Sequence, residues 1–179
     1  MLVLLMAALA PATIALTDAC VVTPADYVAN AKLSFDDFDQ KGTLPNSARK
    51  LGERGCWKQA AEATADYLIH GPLPSPRQQR VLLFHMGQAL ALSGEERRAA
   101  DFIAATRSPL SEVRELNWND YVIGTWAFLV KDRPALIKAR DDVLATPGDG
   151  NRINGNLLAA MERCFEKPYI VAYDLDCRR

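Results

Sequence analysis

An all-α fold is what this chain predicts, and three observations carry the prediction. Apolar residues recur at helical spacing through most of the sequence. Breaks in that pattern fall at Gly55, Gly94 and Asp132, separated by 39 and then 38 positions, which is the periodicity of a repeated helical unit. The one β-favouring stretch, Tyr169 to Tyr173, is too short for an independent sheet.

Taken in order, residues 1–15 of the uncharged run Met1 to Leu16 have the pattern of a signal peptide, with small residues permitting cleavage after Ala12, Ala15 or Ala19. Cleavage after Ala19 would make Cys20 the new terminus and open the alternative of a lipid-anchored envelope assembly factor. Residues 16–42 read as an arm, with a short helical stretch at DYVANAKL followed by a solvated acidic turn, SFDDFDQKG. Asp37, Asp39 and Gly42 have a trace of a calcium loop, but Lys41 and Ala48 stand where ligands are needed.

The repeats span residues 43–150. Thr43 to Pro72 forms a first helical pair broken at Gly55, its second helix burying Trp57, Ala60, Ala61, Thr64 and Leu68. The central pair is the clearest: Ser75-Pro76 starts a helix, Ser93-Gly94 stops it, and Glu95-Glu96 suits the positive end of the next helix dipole. A long apolar helix then runs from Pro109 to Val130, and Asp132 caps a further one with Pro134 in its first turn. In residues 151–179, TPGDGNRINGN reads as a turn-rich loop reaching back to Thr146, Asn156 caps a final helix, and YIVAY reads as an extended strap.

Charged residues are 24% and hydrophobic ones 49% of the sequence, the balance of a globular domain. A net charge of −1 gives no general attraction to nucleic acid, and a membrane association is expected only if Cys20 is lipidated. The four cysteines, Cys20, Cys56, Cys164 and Cys177, point to disulfides in an exported, periplasmic or secreted, protein; neither a CxxC pair nor clustered histidines suggest a metal, and no cofactor is expected. Lys167-Pro168 can turn the chain between Cys164 and Cys177, so that pairing is preferred, which leaves Cys20 with Cys56.

Gly87 lies seven residues before the central break and Ala99 five after it. Ala48, Leu51, Gly55, Ala60 and Pro72 take corresponding places in the first unit, and Tyr121, Thr125 and Phe128 in the third, where Asp132 replaces the turn glycine and Ile137 the second-helix alanine. This arrangement resembles the tetratricopeptide repeat, although the spacing exceeds that family's 34 residues. The resemblance implies a right-handed stack of three antiparallel hairpins with a C-terminal capping helix and a short disulfide-held tail. It also implies a concave surface, lined by the first helix of each unit, that binds peptide segments of partner proteins. In that register Arg49, Phe84, Gln88, Asn119, Val122 and Trp126 would face the groove.

No nucleophile with a base, paired carboxylates or phosphate-binding glycines stand out, so no catalysis is expected. His70 lies at a helix C-terminus, and His85, between Phe84 and Met86, reads as a packed histidine. The enzymatic alternative is a small hydrolase using His85, which would require that side chain to be solvent-accessible and beside a carboxylate.

Overall fold

The computed structural model describes residues 20–109 and 116–178. The signal peptide and its cleavage sites lie outside the described residues, as do residues 110–115 of the predicted third-unit helix. The described residues are all-helical, and side-chain caps mark three of the helix starts. Thr23 and Asp26 form a reciprocal capping box at α1 (Pro24–Asn30), and Ser75 and Gln78 do the same at α4 (Pro76–Leu92), each with proline in the first turn. Between them lie α2 (Ala48–Glu53) and α3 (Trp57–His70). The chain continues through α5 (Glu96–Ala104), α6 (Trp118–Leu129) and α7 (Arg133–Ala145), whose cap Asp132 accepts from the Ala135 N–H. It ends with α8 (Asp149–Arg163), α9 (Tyr169–Ala172) and α10 (Leu175–Arg178).

Three hairpins, α2–α3, α4–α5 and α6–α7, are closed by one and the same turn. The Cys56 N–H donates to Leu51 O at 2.9 Å, Glu95 N–H to Leu90 O at 2.9 Å, and Asp132 N–H to Ala127 O at 2.8 Å. The residue before each donor is left-handed: Gly55 at φ 75°, Gly94 at φ 94° and Lys131 at φ 61°. Lys131, rather than Asp132, is therefore the counterpart of the two turn glycines, and Asp132 is the cap of the next helix. A lysine is held there by its far end: Nζ donates to Phe165 O at 2.9 Å and Lys167 O at 3.3 Å, and lies 4.1 Å from the Phe128 ring centre. Gly124 lies seven residues before Lys131, as Gly87 lies seven before Gly94. A Cβ on Gly124 would come within 2.6 Å of Leu158, so α6 and α8 cross as closely as they do because that position has no side chain.

Neighbouring helices pack in sequence, α3 on α4, α5 on α6 and α7 on α8, so the apolar faces merge into one core. Leu51, Leu82, Ile103, Phe128, Leu136 and Leu158 are fully buried in it. Each such side chain contributes roughly 1.5–3 kcal/mol relative to exposure. The arm is tied on by Tyr67, which stacks on Phe38 with ring centres 4.0 Å apart and donates to Leu33 O at 2.9 Å. Both preferred disulfides, Cys20–Cys56 and Cys164–Cys177, are formed.

Three sequence expectations give way. The stretch expected to be a turn-rich loop is mostly the start of α8, with Asn156 inside the helix rather than capping it. Its first turn is held from outside: the buried Asn151 side chain accepts from Asn117 N–H at 2.7 Å and donates to Pro147 O at 2.9 Å, and these bonds outweigh weak local propensity. The expected strap at YIVAY is the short helix α9, because only a helical turn buries Tyr169 and Ala172 together. The acidic stretch is a π-helical turn, Asp36–Lys41, that closes at Gly42 and turns Phe38 and Asp39 inward rather than leaving the whole stretch solvated.

Candidate functional site

The wide π turn puts Asp39 beneath α4, and its carboxylate, 3% exposed, meets His85. His85 Nδ1 lies 2.9 Å from both carboxylate oxygens, and the Gln40 side-chain amide also donates to that carboxylate. An ionised carboxylate only accepts, so Nδ1 carries the proton and Nε2 is left as the ring's second polar atom. The turn is braced from α2, where Arg49 Nε donates to Asp39 O at 3.0 Å. The His85 side chain is 36% exposed and faces two adjoining clefts.

The larger cleft has a volume of about 830 Å³. Arg49 from α2, His85 and Gln88 from α4, and Trp118 and Tyr121 from α6 line it together with α8 and the C-terminal residues Tyr173 and Arg178. The smaller, about 340 Å³, lies between the arm, α2, α3 and α4, with Tyr173 reaching into it as well. Gln88 sits at the junction of these elements. Its amide donates to the hydroxyls of Tyr121 at 3.4 Å and Tyr169 at 3.3 Å. Burial pushes both phenols far above their ordinary value, so both hydroxyls stay neutral.

Arg163, at the end of α8, donates through Nε to Cys177 O at 2.8 Å, and Arg178 donates through Nε and Nη2 to Tyr173 O at 3.1 and 2.8 Å. Both arginines line the larger cleft. They are held there by the Cys164–Cys177 bridge, which fastens α10 beside the end of α8.

Of the residues assigned to the groove from sequence, the structure brings Arg49, Phe84 and Gln88 to one cleft. Phe84 is 2% exposed and serves as a floor, its ring packed against Trp118 and Tyr121. Val122 is wholly in the core. Asn119 pairs through both polar atoms with the Ser108 backbone, and half-buried Trp126 packs against the core away from either cleft. Asp39, Arg163, Tyr173 and Arg178 were not assigned to the site from sequence. Only the cysteine pairing carried a signal for the last three, since it returns the tail to the end of α8.

Among the described residues no three or more His, Cys, Asp or Glu side chains converge as a metal site, and no helix is long and apolar enough to cross a membrane. Two disulfides and no free cysteine fit an oxidising, extracytoplasmic compartment. Compared with protein-family models, curated proteins and solved structures, the chain matches none.

Proposed function

We propose that this is an exported helical-repeat protein, a right-handed stack of the tetratricopeptide type, that holds a segment of another polypeptide in its larger cleft. It acts in the bacterial cell envelope, in the periplasm, without catalysing a reaction. One observation carries this reading: α2, α4 and α6, the first helices of the three hairpins, all supply residues to one cleft, while α3, α5 and α7 supply none to it. A repeat stack uses such a face for recognition, and about 830 Å³ is ample for several side chains. The Cys20 sulfur is committed to Cys56, which favours the unanchored reading over the lipid-anchored one, since a bridged sulfur carries no thioether lipid.

The test is photo-crosslinking in intact cells, with a photoreactive residue replacing Asn154 in the cleft or Leu73, 97% exposed and away from the cleft, as control. A discrete polypeptide adduct from the first position and none from the second is expected. Absence of any cleft-specific adduct from folded protein would refute the reading.

A second reading, a hydrolase in which His85 activates water, is favoured by one observation. The ring is solvent-accessible and oriented by the buried Asp39 carboxylate, the arrangement of a general base. Thr64, the one hydroxyl residue lining the smaller cleft apart from Tyr173, already donates to Ala60 O. His85→Gln distinguishes the readings: crosslinking persists if the site only binds, whereas chemical conversion of the captured polypeptide would stop if it catalyses.

A further inference from the structure

The larger cleft is charged in a way that the whole chain is not. Over the full sequence 22 acidic residues slightly outnumber 21 basic ones. The cleft is lined by Arg49, His85, Arg163 and Arg178 and, among its described lining residues, by no carboxylate. Several bases elsewhere on the surface are matched locally: Lys50 with Glu53, Arg98 with Glu95, Lys138 with Asp142 and Arg152 with Asp149 all pair within about one helical turn. The three cleft arginines each bind a backbone carbonyl instead, Arg49 that of Asp39, Arg163 that of Cys177 and Arg178 that of Tyr173. Two carboxylates line the neighbouring cleft: Asp39 is buried and engaged by His85 and Gln40, and Glu53 is paired with Lys50.

A carbonyl neutralises no charge. It does fix the guanidinium, and a guanidinium has five N–H donors, so each arginine is oriented with donors remaining. Fixed cations in a concave site whose described lining holds no carboxylate raise a positive local potential and lose little entropy on pairing. Arg49 comes from α2, whereas Arg163 and Arg178 come from the place where α10 is bridged to the end of α8, so the cations are supplied by more than one wall of the cleft. Leu116, Trp118 and Leu157 add apolar surface to the same cleft. That pattern suits a chain with carboxylates at intervals and apolar side chains among them.

We propose that the segment taken by this cleft is acidic, with Asp or Glu carboxylates paired to Arg49, Arg163 and Arg178. The inference rests on the polypeptide-binding reading above and adds the chemistry of the partner.

The experiment uses the full oxidised chain as bait for a displayed library of random peptides. The most enriched peptide is then synthesised and titrated calorimetrically against the native protein, Arg178→Gln, and Arg163→Gln with Arg178→Gln. Enriched sequences are expected to be rich in Asp and Glu. Affinity should fall roughly tenfold for each guanidinium removed, and should weaken as salt is raised. Should the double variant not fold, the single variant and the salt series decide the same question.

Enrichment of neutral or basic sequences, or an affinity indifferent to both variants and salt, would overturn the acidic assignment and leave polypeptide binding standing. No enrichment by folded protein would overturn both. Polyphosphate or phosphatidylglycerol vesicles that bind more tightly than the peptide and displace it would overturn the acidic-peptide assignment in favour of a non-peptide anion.

Discussion

Lys131 offers a direct test of the three-turn architecture, because it occupies with a full side chain the left-handed position that Gly55 and Gly94 fill elsewhere. The conformation costs a non-glycine residue about 1–2 kcal/mol. Glycine removes that strain but adds freedom to the unfolded chain, which returns about 0.4–1 kcal/mol of the gain. The Lys131 ammonium offsets the strain by capping two carbonyls and lying over Phe128, about 1–2 kcal/mol together after allowance for its exposure. Lys131→Ala keeps the strain and loses the cap, so a loss of about 1.5 kcal/mol is expected. Lys131→Gly loses the cap and relieves the backbone, so it should be more stable than the alanine variant by about 1 kcal/mol. Gly94→Ala supplies the matching control: no atom lies within 4 Å of the added Cβ, so its loss of about 1 kcal/mol would be purely conformational. Urea unfolding resolves these differences, since a change of about 1 kcal/mol moves the midpoint by about 0.5 M for a slope of about 2 kcal/mol/M. An alanine variant at position 131 as stable as the glycine variant would show that the left-handed turn imposes no such strain.

Alkaline pH should unfold the protein through its buried phenols. Unfolded tyrosines ionise at about pH 10 while folded Tyr121 and Tyr169, raised by desolvation, stay protonated. The unfolded state then binds fewer protons, so the stability these two contribute is intact below about pH 10 and falls above it. Ultraviolet titration should show them ionising only as helicity is lost; ionisation of all five tyrosines at about pH 10 with the fold intact would count against this. Removing the disulfides by paired Cys→Ser changes should cost about 4 kcal/mol for Cys20–Cys56 and about 3 kcal/mol for Cys164–Cys177, the longer loop costing more, as read from denaturant unfolding. Equal or reversed losses would show that native contacts of the arm and tail, rather than loop entropy, dominate.

The parts of the fold that were legible in the sequence are those set by local chemistry. Ser75-Pro76, Asp132 with Pro134, and the turn glycines act over a few residues, and the structure has helix boundaries beside each. The third turn lies one residue earlier than the helical pattern suggests, because a lysine conceals a left-handed position. Its reason for being there, two carbonyls after α8, lies 34 and 36 residues away. The start of α8 depends likewise on Asn151 meeting Asn117, a contact no helix propensity encodes. Within the cleft, Arg49 and Gln88 lie on α2 and α4, helices whose starts and periods are visible in the sequence. Asp39 could not, since an acidic run between a serine and a glycine looks the same whether it faces water or a histidine 46 positions on. Arg163 and Arg178 belong to no repeat, and their place follows only from the tail being brought back along α8.

The two bridges also determine how this protein would bear mechanical load. Tension applied at residues 20 and 177 crosses from Cys20 directly to Cys56 and from Cys164 directly to Cys177, bypassing the arm and the tail. Only the roughly 110 residues between Cys56 and Cys164 can then lengthen, giving on the order of 370 Å of extended chain rather than the length of the whole polypeptide. Arg49 and Asp39 lie inside the first bypassed loop and Tyr173 inside the second. Those flanks of the cleft would remain off the load path while the hairpins between them unravel.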